Sequence, residues 1–564
     1  MVPCKAVIGW NQRTPRARSA ETYQISALRY QISDIATRRR PDRRAGPEAS
    51  IVLAPPLPVP ENPPVIDAPS TPVPARRLLP IAILALIALD SFRPIANYDI
   101  HWHLAAGRIM LDRGEVLTTD PLSWTIQGKR WVNHEWLSQV LFALAERAGG
   151  LTGVRLLTSL VITLSFLILY VLAARRSKDP WVAGAVVGLG FVLYLFRVQE
   201  RPHIWTPFLF FCVYGVLLRE DLSACRKAAV AVVVAALWAN LHAGALVTPL
   251  LLGAFAVGSL GVSRRDAATY AVAAALSAVA VCATPNGWAI WEFALTAQGQ
   301  THLVPEWRSP WSFDATEYAR EKAIFVVITL VWLLSVARRP RDIDPRETLA
   351  ALLGVVLAAS AIRFLFFLAL PTLQAARFVL PRRAAMVVLA ACLAIVAFDQ
   401  GERRSKYREA GIGRFDDLFY PHYPVKAVDY LSELQLSGRG AVHPGFAGYL
   451  SWRLWPRYLT FVDGRTPDFG NRLCEDAIRL TAPPGPDADM EALLRARERL
   501  LDEYGIDWVL APRPYFGEDD RVYAGRWVPA YVDAVAVVYV RNDGPHAKEN
   551  GDAVIEHARK RKGR

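Results

Sequence analysis

From Leu78 to Asp399 the chain alternates long apolar blocks with short charged connections, and beyond Asp399 it turns polar. The apolar blocks fall at 78–96, 151–173, 181–196, 204–218, 228–240, 245–262, 267–284, 323–337, 348–362, 364–376 and 384–399. A helix needs about 20 apolar residues to cross a bilayer core, and shorter ones are accommodated by tilt or local thinning. The pattern predicts a polytopic α-helical membrane protein with about 11 transmembrane helices. The fifth and sixth blocks, and the ninth and tenth, each also read as one long kinked helix.

An odd count of spans puts the loops 174–180, 219–227, 263–266, 338–347 and 377–383 on one side. Arg175-Arg176, Arg264-Arg265, Arg338-Arg339 and Arg382-Arg383 flank the blocks there, which makes that side cytoplasmic by the positive-inside rule. The segments 97–150, 197–203, 241–244 and 285–322, the surroundings of Arg363 and everything from 400 onward then face the opposite compartment, in a bacterium the periplasm.

Residues 1–77 carry Arg38-Arg39-Arg40 and a Pro-rich stretch from Pro55 to Pro74, a composition that cannot bury a core. They are expected to form a disordered cytoplasmic tail. The first apolar block begins only near Leu78, so an uncleaved first span is expected rather than a signal peptide. Residues 400–545 read as a small C-terminal α/β domain, with strands at 439–443, 458–463, 506–511 and 530–541 and a helix near 490–504 closed by Gly505. Residues 546–564 read as a basic tail.

Composition agrees with this layout. Of 564 residues 53% are apolar and 21% charged, and the net charge is +13. A nucleic-acid binder would gather its basic residues on one face, whereas these sit between apolar blocks, so nucleic acid is not expected as a partner. Cys212, Cys282 and Cys392 lie within apolar blocks and no C-x-x-C occurs among the six cysteines. Neither a disulfide framework nor a thiolate metal site follows.

The candidate chemistry lies on the expected outer side. After the first span come Asn97-Tyr98-Asp99-Ile100-His101-Trp102-His103, and later in the same loop Asn133-His134-Glu135-Trp136. Partial desolvation of Asp99 would raise its pKa and suit it to general-base work; a helix-capping role is the alternative. If extended, His101 and His103 point the same way and with Asp99 supply ligands to a divalent cation; if helical, they diverge and serve hydrogen bonding.

Further along, Arg197, Glu200, Arg201 and His203 follow the third span, Asn240 and His242 fall between the fifth and sixth, and Asn286, Glu306 and Arg308 lie in the 285–322 loop. Arg363 interrupts apolar sequence, a costly place for a charge unless it is paired or faces water. Arg197, Arg201 and Arg363 are expected to clamp a lipid phosphate through forked hydrogen bonds, with interhelical ion pairing as the alternative. Asp463 and Arg465 complete an acceptor site if the C-terminal domain folds over the membrane site, or else form an ion pair closing a turn at Gly464. Of two Asp-x-Asp runs, Asp342-Ile343-Asp344 falls on the cytoplasmic side and Asp487-Ala488-Asp489 reads as a helix cap or solvated loop.

The uncleaved first span, the acid opening the first outer loop, the span count and the external C-terminal domain together resemble the GT-C superfamily of integral-membrane glycosyltransferases. More closely, Tyr98-Asp99 through Gly114, Thr119-Asp120-Pro121-Leu122-Ser123, Trp131-Val132-Asn133-His134-Glu135-Trp136-Leu137, Gly448-Tyr449-Leu450-Ser451-Trp452-Arg453 and Phe461-Val462-Asp463-Gly464-Arg465 resemble a family of bacterial membrane proteins of that architecture. The resemblance spans roughly residues 78–545. It implies transfer of a sugar from a polyprenyl-phosphate-linked donor to a glycan, lipid or protein acceptor at the outer face of the inner membrane. Asp99 would be the catalytic base or a metal ligand, and Arg363 the lipid-phosphate contact. Many superfamily members carry a second adjacent acid; here Tyr98 and Ile100 flank Asp99, and Glu135 is the candidate to replace it. A non-catalytic transporter of lipid-linked glycan, or an envelope-assembly scaffold, is the other reading.

Overall fold

The structure, a computed structural model, describes residues 73–298, 304–376, 378, 380–413, 416–419, 423–483, 489–513 and 526–562. Residues 1–72 of the tail expected at 1–77 lie outside them, and residues 73–77, expected in that tail, open helix α1. The described residues up to Glu409 are helical: α1 (Val73–Ser91), α2 (Asp99–Arg113), α3 (Trp136–Ser177), α4 (Pro180–Tyr194), α5 (Trp205–Leu217), α6 (Ala224–Leu241), α7 (Val247–Ser259), α8 (Arg264–Ala280), α9 (Ala289–Gln298), α10 (Ala319–Arg338), α11 (Pro345–Ser360), α12 (Ala369–Ala376) and α13 (Arg382–Glu409). The remainder comprises α14 (Val425–Glu433), β1 (Arg439–Val442), α15 (Pro444–Leu454), α16 (Thr466–Thr481), α17 (Met490–Glu503), β2 (Ile506–Pro512), β3 (Trp527–Val532), β4 (Ala536–Arg541) and α18 (Ala547–Lys562).

Every apolar block read from the sequence coincides with a helix. Trp136–Ser177, Pro180–Arg197, Ala224–Leu241 and Arg382–Glu409 are long and apolar enough to cross a membrane, and shorter apolar helices accompany them. Neither ambiguous pair of blocks is one kinked helix. His242, at φ −165°, breaks α6 from the turn leading to α7, and Ala361, at φ −154°, breaks α11 from the 3₁₀ turn Ile362–Leu368 that leads to α12. Helix α3 kinks at Gly149 and Gly150, the latter at φ +62°, where its outer-loop half meets the apolar half.

Lipid supplies no hydrophobic drive between helices, so close packing has to come from small residues. Gly184 and Gly188, one turn apart on α4, meet this need. A Cβ at Gly184 would stand 2.9 Å from Ile83 of α1, and one at Gly188 would stand 3.0 Å from Cys392 of α13. Large apolar side chains such as Val233, Val279 and Val387 remain about two-thirds exposed (67–69%), as a lipid-facing surface requires.

The outer-loop helix α2 is wedged between α3 and α15. A Cβ at Gly107 would fall 2.2 Å from the Gln139 carbonyl oxygen, and one at Gly448 would fall 3.0 Å from that of Tyr98. Arg108 donates two 2.7 Å hydrogen bonds to Glu146, whose carboxylate also accepts 2.6 Å from the Trp452 indole. The glycine- and tryptophan-bearing motifs thus hold three helices together.

The C-terminal sheet has the order β1-β2-β4-β3, with β1 parallel to β2 and the other pairs antiparallel. Gly440 leaves room for the Trp508 ring opposite it, which a Cβ would approach to 2.1 Å. Two expectations need correction. The strand expected at 458–463 does not join this sheet: Thr460 donates 3.0 Å to the Leu122 carbonyl and accepts 3.0 Å from the Trp124 amide, so its backbone pairs with the first outer loop. The expected basic tail forms helix α18, fixed by the Asn550 side chain bonding both backbone groups of Ser437 and by His557 meeting Glu433 at 2.6 Å. The expected strand at 530–541 is the β3–β4 hairpin, and α17 ends before Gly505 at φ +62° as expected. Helix α13 runs ten residues past the expected span end at 399.

Overpacking a close helix crossing costs about 1–3 kcal/mol. Gly107→Val is therefore expected to lower the thermal midpoint of the detergent-purified protein, whereas Gly253→Ala, with nothing within 4 Å of its Cβ position, leaves it unchanged. Equal midpoints for the two variants would contradict the α2–α3 packing.

Candidate active site

Asp99 opens α2, with its amide donating 2.8 Å to the Asn97 side chain. Its carboxylate meets Arg201 Nη2 at 2.7 Å. Arg201 lies in the turn after α4, and its other nitrogen stands 3.6 Å from Glu306, which is also ion-paired with Arg197. Arg197, Glu306, Arg201 and Asp99 therefore form an alternating chain of charges drawn from three loops.

Arg363 lies beside this chain, and its position follows from the break at Ala361. The amide of Ile362 donates 3.0 Å to the Arg308 carbonyl, which draws the Pro305–Trp307 turn against the break. The Arg363 guanidinium rests 4.9 Å from the Trp307 ring and 4.8 Å from the Phe364 ring, and its Nε is buried without a hydrogen-bond partner. Among the described residues it forms no ion pair. A cation in that state keeps hydrogen-bonding capacity that the described residues do not use.

Glu135 precedes α3 and sits among three imidazoles, with Nε2 of His134 at 3.6 Å, of His242 at 3.8 Å and of His103 at 3.9 Å. These separations exceed hydrogen-bond length. His242 is brought in from 107 residues away because the start of α3 is tied to the end of α6. The Trp136 indole donates 2.8 Å to Asn240, and the Ser138 hydroxyl donates 2.6 Å to the Leu241 carbonyl. Partners assign the tautomers. His242 Nδ1 accepts 2.9 Å from the Gly244 amide, so its Nε2 carries the proton; His134 Nδ1 faces the Val132 carbonyl at 3.3 Å, so its Nε2 offers a lone pair.

Burial sets the proton occupancy. It raises Asp99, against the pull of Arg201. It lifts Glu135 to about 8, with Arg201 opposing and the Asp99 charge adding. It holds His134 down at about 4 and His103 well below the ordinary imidazole value. Burial also acts on Glu306, but Arg197, Arg201 and Arg363 outweigh it and keep that carboxyl at about 2. At neutral pH Glu135 thus holds its proton and Glu306 is a bare carboxylate, while at Asp99 burial and the Arg201 charge oppose each other.

The C-terminal domain closes over Asp99. Gly464 lies against it so closely that a Cβ there would fall 2.1 Å from Asp99 Oδ1 and 2.9 Å from Trp102 Nε1. The flanking residues are not free to bind a substrate, which corrects one expectation: Arg465 is buried and ion-paired with Asp463 at 2.6 Å and with Asp120 at 2.5 Å, 4.5 Å over the Trp131 ring. The alternative turn reading of Asp463-Gly464-Arg465 holds, with Asp120 as an added partner. Asp468, on α16, is lifted to about 7 by burial.

The other expectations divide. Because α2 is helical, His101 and His103 diverge. His103 faces Glu135, while His101 is enclosed by Tyr423, Tyr449 and Trp452 at 4.8–5.2 Å between α2 and the C-terminal domain, away from the carboxylates. The proposed His101–His103–Asp99 cation site is therefore not formed, and among the described residues no group of three or more His, Cys, Asp or Glu is arranged to hold a metal ion. His203 Nε2 donates 2.7 Å to the Arg197 carbonyl within the 197–203 turn and so shapes the loop that presents Arg197 and Arg201. Asp344 and Asp489 cap α11 and α17, and Asp487 and Ala488 lie outside the described residues. Sequence reasoning gave no role to Glu306 or to Gly464 beyond a turn; both act through partners more than 90 residues away, for which a single chain carries no signal.

No family model matches the sequence, and no curated protein matches it. Among solved structures, the chain is similar to the Archaeoglobus fulgidus oligosaccharyltransferase tethered with an acceptor peptide containing the NVT sequon. The TM-score is 0.50 at 12% identity, over 78% of this chain and 69% of that one. The apo form of that enzyme gives a TM-score of 0.46 at 12% identity, over 77% of this chain and 70% of that one. Its complex, as AglB, with an inhibitory peptide and a dolichol-phosphate also gives 0.46 at 12% identity, over 78% and 70%. The chain shares its fold with that oligosaccharyltransferase. At such identity the likeness is one of fold, and it agrees with the fold that the sequence resemblance implies.

Because the folded state holds the Glu135 proton up to about pH 8, against 4.5 for a free carboxyl, it binds more protons than the unfolded chain between those values. Stability should fall as pH rises through that window, by up to roughly a few kcal/mol. Glu135→Gln is expected to flatten this part of a thermal-midpoint profile from pH 5 to 9 and to be the more stable protein above pH 8. A wild-type profile unaffected by the substitution would contradict a protonated Glu135.

Proposed function

We propose that the protein is a glycosyltransferase that moves a sugar from a polyprenyl-phosphate carrier to a glycan, lipid or protein acceptor. In this reading about 11 helices span the bacterial inner membrane, and the site and C-terminal domain face the periplasm. The observation that carries it is the gathering of Arg363, half-buried and without an ion pair among the described residues, with two carboxyl groups in different settings, Asp99 paired with Arg201 and Glu135 holding its proton.

The chemistry follows from those groups. The acceptor hydroxyl attacks the anomeric carbon as the bond from that carbon to the carrier phosphate oxygen breaks. The attacking hydroxyl loses its proton to Asp99, whose ionised form the Arg201 ion pair favours. Arg363 stabilises the phosphate that departs with the carrier, and its aromatic seat leaves the guanidinium fork free for forked hydrogen bonds. Glu135 restores the proton balance, its pKa of about 8 suiting it to exchange protons near neutrality. The solved relative with a dolichol-phosphate and the one tethered with an acceptor peptide are in keeping with a lipid-linked donor and with a protein among the possible acceptors. None of these steps is routed through a metal ion, since no described cluster suits one.

Mass spectrometry of envelope glycans and lipid-linked sugars in strains carrying single variants tests the proposal. Asp99→Asn is expected to cut product about 10²-fold or more while the protein inserts normally and the donor accumulates. Arg363→Gln should weaken use of the donor in the same direction. Product retained at the wild-type level in Asp99→Asn would favour transport or display of a lipid-linked glycan instead.

A further inference from the structure

Apart from the Asp99–Glu135 cluster, a cleft of about 310 Å³ opens where α1 ends and α13 continues beyond its apolar part. Arg93, Arg403, Arg404 and Arg408 line it, with Asp90 as the one carboxylate among its lining residues. Arg403 is ion-paired with Asp90 and Asp399. Arg404 and Arg408 form no ion pair among the described residues, and the Nε of Arg93 is buried without a hydrogen-bond partner. Arg93 also donates 3.2 Å to the Leu195 carbonyl, and four guanidiniums around one carboxylate leave an excess of positive charge that a bridging anion offsets. Their forked donors match phosphate oxygens.

One helical turn away, an apolar crevice continues between α1, α4 and α13, lined by Ile83, Leu86, Ile87, Phe191, Leu389 and Val396 among others. Ile87 and Asp90 are three residues apart on α1, and Val396 and Gln400 four apart on α13, so crevice and cleft occupy successive turns of the same two helices. Leu89 and Phe398 stand exposed beside them. The crevice holds only about 20 Å³ and takes no tail, but the cleft and the exposed apolar surface beside it fit a molecule with a phosphate head and a hydrocarbon tail. Neither Asp99, Glu135 nor Arg363 lines the cleft, so a sugar carrier held there would have its reactive bond away from the carboxylates.

We infer that this cleft binds the phosphate headgroup of an anionic phospholipid, whose acyl chains run along the exposed apolar side chains Leu89 and Phe398 beside it. The site is separate from catalysis and serves to seat the end of α13, from which the C-terminal domain departs, on the bilayer surface.

Native mass spectrometry of the full-length protein in neutral detergent, with added phosphatidylglycerol, phosphatidylcholine, polyprenyl phosphate or inorganic phosphate, tests the inference. Phosphatidylglycerol is expected to bind at least about ten-fold more tightly than phosphatidylcholine. The double variant Arg404→Gln/Arg408→Gln, changing exposed side chains without ion pairs, should lose that preference with an unchanged thermal midpoint in the absence of lipid, and Arg93→Gln should weaken binding likewise. Equal binding of phosphatidylcholine, full binding by the double variant, protection by inorganic phosphate alone, or displacement of phosphatidylglycerol by equimolar polyprenyl phosphate would each overturn it. Asp99→Asn should bind phosphatidylglycerol as the wild type does, so loss of this site and loss of the proposed transferase activity are read separately.

Discussion

A carboxylate withdrawn from water has to be matched by a cation or keep its proton, and the site at the rim of the helical bundle applies one solution to each of its two catalytic candidates. Asp99 is matched by Arg201, which is itself matched by Glu306, which is shared with Arg197. Glu135 has three neutral imidazoles for neighbours and keeps its proton. The asymmetry leaves Arg363 as the charge without a counterpart, held by aromatic rings rather than by an acid. Four segments far apart in the chain must therefore meet at the start of α2, and the breaks at His242 and Ala361 let two of them do so.

How much of this was legible in the chain depends on the range of the force involved. The apolar blocks were legible because a bilayer imposes a minimum length on each run, and every one of them is a helix. β1 and β2 were legible as short apolar runs, whereas the single strand expected at 530–541 is two strands turning back on each other, a reversal the apolar run does not mark. The run at 458–463 carries the same signal but finds its backbone partners at Leu122 and Trp124 in another part of the chain, a choice that no local pattern encodes. The H-x-H pair was ambiguous for a related reason. Its spacing suits a strand, and only the acid at the first position of α2 hints at a helix N-terminus, where a carboxylate is favoured.

Site residues divided along the same line. Asp99, Glu135, His103, His134, His242, Arg197, Arg201 and Arg363 could be picked out because ionisable groups beside apolar spans are expensive. Their pairing could not. The partner of Arg465 lies 345 residues upstream at Asp120, and that of Asp99 lies 102 residues downstream at Arg201. Asp463 and Arg465 accordingly looked like site residues and are instead the buried clasp that anchors the outer domain to the first loop.

The glycine at 464 gives that clasp a further meaning. Its bare α-carbon rests where any side chain would collide with Asp99, so the outer domain contributes a wall of the site through the lack of an atom rather than through a functional group. The two halves of the chain are thereby not free to diverge independently. A drift of the C-terminal half toward α2 by the width of one methyl group would crowd the carboxylate, and tolerance to change in that half is set by a residue of the other.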